Sequence, residues 1–145
     1  MFKKIKLICS AIALCAIAAG AYFMFFGSSL VGSWEMVEIR ATQERIEQLP
    51  AAQRATIERY FNERLEREKM QIEFFDDGTG LITLIIDDII ETNQFRYTAE
   101  NGILNKRIGI ISMDMEYTVS LTKLVIINHN EEDGIVREFR KVNLK

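Results

Sequence analysis

Three hydrophobic patterns succeed one another along the chain. From Leu7 to Phe26, twenty residues run without a charge, directly after Lys3, Lys4 and Lys6 and before Gly27-Ser28-Ser29. At roughly 1.5 Å of rise per residue, a helix of that length reaches about 30 Å, the thickness of a bilayer's hydrocarbon core. From Thr42 to Lys69 apolar residues recur every four positions, and beyond Lys69 they alternate with polar ones up to the C-terminus. These patterns predict a cytoplasmic tip, transmembrane signal anchor and short linker over 1–29, and one β-rich domain over 30–145 with a helical insert at 42–69.

Within that domain, Val31 to Arg40 reads as a strand with Trp34, Met36 and Glu38 on one face and Val37 and Ile39 on the other. Leu49-Pro50 divides the helical stretch, because proline suits a first helical turn and pushes its predecessor out of helical geometry. In the second half Ile57, Phe61 and Leu65, with Tyr60 beside them, form an apolar stripe, and Glu63 and Arg67 stand one turn apart as a surface pair. Met70, Ile72 and Phe74 then alternate with Gln71 and Glu73, and Asp76 to Gly80 closes a hairpin into Leu81 to Ile86. Asp87-Asp88 breaks the chain again, and a strand holding Phe95 and Tyr97 follows the polar Glu91 to Gln94. Asn101-Gly102 is the strongest turn signal, since both central residues of that hairpin favour positive φ. Ile103 to Ile111, with a bend at Gly109, then Tyr117 to Leu121, Leu124 with Ile126, and Ile135 to Val142 complete about eight strands. Consecutive hairpins with one apolar face predict an up-and-down meander that closes into a barrel and leaves no free edge.

The first pattern sets the expected location. An apolar stretch of roughly 7 to 15 residues ending in small residues would be a cleaved signal peptide, and Ala16-Ile17-Ala18 or Ala19-Gly20-Ala21 fits such a site. The run continues through Tyr22, Phe23, Met24, Phe25 and Phe26, whose aromatics suit the far interface of a spanning helix, so its length favours an uncleaved anchor. Lysines on the amino side place the N-terminus in the cytoplasm and the domain on the periplasmic or extracellular face of the cell membrane. Cys9 and Cys15 both lie inside the run, so the domain contains no disulfide, and neither follows the small residue that lipid attachment requires. All 21 acidic residues but only fifteen of the 18 basic ones lie beyond the run, a formal charge of −6 for the domain. Nucleic acid is a poor partner for such a surface, and no polybasic stretch follows the anchor to meet lipid headgroups.

Leu30-Val31-Gly32-Ser33-Trp34 resembles the Gly-x-Trp signature that opens the first strand of lipocalins and of the bacterial lipocalin-like domains. Phe74-Phe75-Asp76-Asp77-Gly78-Thr79 is similar to a hairpin common in the bacterial group, and Glu138 to Val142 looks like its last strand. The resemblance implies a small barrel with a structural signature of Gly32, Trp34, Asp77, Gly78 and Arg140. In that family an arginine of the last strand covers the tryptophan at the closed end, which here implies Arg140, or Arg137 in the other register. The helical insert and the short chain depart from true lipocalins and argue against a large cavity.

No catalytic, metal or cofactor constellation emerges. His129, the only histidine, lies in the oxygen-rich Asn128 to Asp133, but glycine stands at Gly134 rather than at the sixth position of a calcium loop. Asp76-Asp77 and Asp87-Asp88 are adjacent pairs whose side chains point apart on a strand. Two non-enzymatic functions follow. The first is a membrane-anchored barrel that binds a small apolar or amphipathic molecule, lined by Met36, Leu84, Phe95, Tyr97, Tyr117 and Val119, residues that otherwise simply fill a small barrel. The alternative is a protein-interaction module of the envelope, such as an accessory, inhibitor or immunity protein with a packed interior.

Overall fold

Alternating side chains from Gly32 onward build a meander in which each strand pairs with the next, and the last returns to the first. The computed structural model describes residues 29–129 and 134–142. The expected anchor at 7–26 lies outside the described residues, among which no helix is long and apolar enough to cross a membrane. The strands are β1 (Gly32–Ala41), β2 (Glu68–Phe74), β3 (Thr79–Ile86), β4 (Ile89–Glu100), β5 (Ile103–Ile108), β6 (Ile111–Val119), β7 (Lys123–Asn128) and β8 (Ile135–Lys141). They form a closed antiparallel barrel in sequence order, sealed by a β1–β8 ladder from Trp34–Lys141 to Ala41–Ile135. This is the expected architecture, with the helical insert after the first strand.

That insert is a helix pair, α1 (Gln43–Gln48) and α2 (Ala51–Arg67). Thr42 caps α1 by accepting from the Arg45 N–H at 3.4 Å, satisfying one of the orphan donors of a helix start. Pro50, at φ −55°, leads into α2 and accepts from Gln53 and Arg54. Phe61 is buried, with Ile57 and Leu65 packed beside it on the core, whereas Tyr60 is more than half exposed and meets Phe61 edge-on. The insert ends two residues before the expected Lys69, because the Arg64 side chain turns to the buried Glu68 carboxylate and β2 begins at that residue. Arg67 likewise serves a different partner from the expected Glu63: it donates to Asp87 at 2.6 Å and ties α2 to the β3–β4 turn.

Pairing register decides which residues face inward. β1 carries a bulge between Met36 and Glu38, so its inward set changes parity from Trp34 and Met36 to Ile39 and Ala41. The reading that placed Glu38 with Trp34 and turned Ile39 outward is therefore corrected by one inserted residue. Glu91 to Gln94 belong to β4, since pairing with β3 satisfies their backbone whatever their side chains. Gly109, at φ 58°, forms a full turn rather than a bend and separates β5 from β6.

The two ends of the barrel differ. At the end where the chain enters, Trp34 is fully buried and donates its indole N–H to the Leu30 carbonyl at 2.8 Å. The cation over its ring is Lys141, 5.2 Å from the centroid; Arg140 pairs with Glu35 and faces outward, so the expected arginine cover is corrected by one position. Gly32 is needed here because an added Cβ would stand 3.2 Å from the Lys141 side chain at a φ of +127°. The opposite end carries α1, α2 and the β3–β4 and β5–β6 turns.

Candidate ligand-binding cavity

Inward positions of β2 to β8 leave a cavity of about 150 Å³ in the barrel. Its wall is mostly soft and apolar, with Met70, Ile72, Phe74, Ile82, Phe95, Leu104, Met113, Met115 and Ile126. Three of these are methionines, whose unbranched thioethers repack around differently shaped guests. Pockets for drug-sized ligands run from roughly 300 Å³ upward, so this one suits a smaller guest. A dry apolar cavity of its size is known to hold about one benzene ring.

Three polar side chains interrupt that wall: Lys106, Asn128 and Arg137. Lys106 lies on β5 between the inward Leu104 and Ile108, opposite Tyr97 and Met113. Arg137 lies on β8 between the inward Ile135 and Phe139, opposite Ile39 and Ile126. Asn128 is buried at the end of β7. Two cations and an amide line the cavity, and none of its lining residues is a carboxylate. The arrangement offers N–H donors to the oxygen atoms of a guest within an otherwise apolar wall.

Of the six lining residues expected from sequence, Phe95 alone lines this cavity. Tyr97 closes the floor beneath it: its ring meets Phe74 edge-on at 5.0 Å and its hydroxyl donates to the Phe75 carbonyl at 2.6 Å. Burial, with Asp77 and Asp76 nearby, pushes its phenol pKa up, so it stays a donor. Met36 is buried core, Tyr117 and Val119 pack against that core lower in the barrel, and Leu84 sits toward the helical end opposite Met70. Lys106 and Arg137 were legible as charges at inward positions between two apolar neighbours. Reading Arg137 only as a second choice to cover Trp34 hid that signal.

The remaining signature residues are structural. Asp77 accepts from the Thr79 hydroxyl at 2.6 Å and its N–H at 2.9 Å, bonds that hold its carboxyl below the usual carboxylate range, and Gly78 supplies a φ of 79°. Gly80 lies directly opposite Phe95, and a Cβ there would fall 2.3 Å from the Phe95 ring and 2.6 Å from the Glu73 carbonyl oxygen. His129 is exposed, 3.3 Å from Glu116, and no cluster of three metal-ligating residues occurs among the described residues.

The barrel wall thins at one seam. The β4–β5 ladder runs only from Arg96–Arg107 to Glu100–Ile103, so Ile89 to Phe95 of β4 pair with β3 alone. A groove of about 410 Å³ lies at this seam, lined by Thr79, Gln94, Phe95, Arg96, Arg107 and Gly109.

No protein-family model matches the chain. No curated protein matches it either. Among solved structures it is similar to fatty-acid-binding protein 1 of Echinococcus granulosus, with a TM-score of 0.43 and 15% identity over 79% of this chain and 98% of that one. It is also similar to the wild-type fluorescent protein UnaG, with a TM-score of 0.44 and 10% identity over 78% of this chain and 97% of that one.

Proposed function

We propose that this protein is a non-enzymatic binding barrel for a small amphipathic anion, held at the exported face of the cell membrane by residues 7–26. The observation that carries the reading is the cavity itself: Lys106, Arg137 and Asn128 set into a wall of methionine, isoleucine, leucine and phenylalanine. A carboxylate or similar head meets the cations, and a tail of about six carbons fills the apolar volume. The uncharged run over residues 7–26 supports the anchoring. This reading assigns the cavity binding and no catalytic step.

The test compares hexanoate with hexan-1-ol by calorimetry on the full chain in zwitterionic lipid nanodiscs, with empty nanodiscs as reference. Hexanoate binds about tenfold more tightly than the alcohol, and Lys106→Met with Arg137→Met removes that preference. Equal affinities, or no saturable binding of either, would overturn the reading.

One observation favours the alternative, a protein-interaction module. Ile89 and Ile90 on one hairpin, and Ile110 and Ile111 on the next, are each more than 60% exposed at the helical end. Under that reading the interior binds neither probe, and Ile89→Ser with Ile110→Ser abolishes a stoichiometric protein complex seen by native mass spectrometry.

A further inference from the structure

At the top of the shortened β4–β5 ladder, Arg96 and Arg107 stand directly opposite each other. Their neighbours Phe95, Tyr97, Lys106 and Ile108 point inward, so both guanidinium groups lie outside the barrel, and both are exposed. Like charges directly across two strands oppose pairing, and sheets usually interleave an acid at such a place. Here the outward neighbours in register are Thr79 beside Arg96 and Ser112 beside Arg107, both uncharged. Neither arginine forms an ion pair among the described residues, and Arg107 donates only to the Gly109 carbonyl, at 3.2 Å. On a domain whose formal charge is −6, these two cations stand side by side with no acid directly in register.

The same groove touches the interior. Phe95 lines both the seam groove and the inner cavity, and it is the residue they share. Its ring is 2% exposed and lies over Gly80, where the missing Cβ leaves it room. One aromatic side chain thus separates an outer, arginine-flanked groove from the inner cavity.

We propose that the β4–β5 groove is an anion-binding vestibule: Arg96 and Arg107 receive the oxyanion head of an incoming amphiphile, and Phe95 is the partition through which it passes to the cavity. The proposal rests on the interior-binding reading above. The recognised chemistry is a carboxylate or phosphate oxyanion, for which paired guanidinium groups offer parallel N–H donors. Placed at a gap in the wall, such a pair raises the encounter rate of an anion more than its final affinity.

The experiment follows 6,6,6-trifluorohexanoate by fluorine NMR lineshape on the full chain in zwitterionic nanodiscs, with 6,6,6-trifluorohexan-1-ol as the uncharged control. In Arg96→Gln with Arg107→Gln, the association rate constant for the acid falls about tenfold, its dissociation rate is unchanged, and the alcohol's rates do not move. Phe95→Trp slows entry and exit of both probes together, because a bulkier partition acts on the tail. Acid association that ignores the arginines while wild-type binding stays saturable would overturn the vestibule alone. Absence of saturable binding to the wild type would overturn the interior reading with it. Inorganic phosphate separates the two sources of oxyanion. If it raises thermal stability through these arginines yet leaves the acid's association rate untouched, the groove is a free-phosphate site and the vestibule is overturned. If it slows acid association competitively, the shared site is upheld.

Discussion

At the scale of single residues, the interior is a set of fitted pairs whose logic is steric before it is chemical. Phe95 occupies the space that Gly80 leaves open, and Phe74 meets the same ring edge-on at 5.5 Å. A methyl group at position 80 would meet the Glu73 backbone as well as the ring, and the backbone cannot swing aside. Gly80→Ala is therefore expected to destabilise the protein by about 1–3 kcal/mol through overpacking, read as a lower denaturation midpoint in urea with an unchanged slope. An unchanged midpoint would show that the β2–β3 edge moves freely, contrary to this packing. The sequence showed a Gly-Thr-Gly hairpin without revealing why its second glycine is needed, because the reason lies across the sheet at Phe95. In the same way Trp34 announced a covered indole, but the one-residue choice between Arg140 and Lys141 depends on β1–β8 register, which no local pattern records.

Among the elements, the turns were the most legible features and the strand parities the least. Asn101-Gly102 adopts φ values of 52° and 79°, the paired positive angles that its composition demands. Asp87-Asp88 makes the equivalent turn at 47° and 68° with two Cβ-bearing residues. Asp87 has a reason to be there, since it accepts from Arg67 and fastens α2 to the β3–β4 hairpin. Asp88 makes no side-chain hydrogen bond or ion pair among the described residues and carries the strain of a left-handed conformation. Asp88→Gly is accordingly expected to raise stability by about 0.5 kcal/mol, the relief of backbone strain exceeding the added freedom of the unfolded chain. Chemical denaturation of both forms checks this, and a loss of stability would assign Asp88 a contact of its own. What alternation could not reveal was the bulge after Met36, because one extra residue reverses the faces of Ile39 and Ala41 without changing the composition of β1. Polar Glu91 to Gln94 concealed strand continuity for a related reason: they lie on a stretch of β4 that pairs with β3 but extends past the β5 ladder.

For the molecule as a whole, charge is arranged in opposition: an acidic exterior of formal charge −6 surrounds a cavity with two cations and a seam with two more. An approaching anion therefore meets repulsion at long range and attraction at short range, and ionic strength selects which it feels. At about 0.01 M salt the screening length is roughly 30 Å, comparable to the domain itself, so the net negative charge opposes approach. Near 0.15 M it shrinks to about 8 Å, which cancels the distant acids for an anion already at the seam while leaving Arg96 and Arg107 effective. At 1 M, with about 3 Å, both effects vanish. The association rate of 6,6,6-trifluorohexanoate is thus expected to rise from low to physiological salt and fall again at high salt. Arg96→Gln with Arg107→Gln converts that maximum into a monotonic rise to a plateau, and the uncharged alcohol shows no salt dependence in either protein. A rate for the wild type that only falls with salt would mean that the local cations dominate at every distance, and one that only rises would mean that they do not steer at all. The second result would leave any preference for an anion to the interior lining around Lys106 and Arg137.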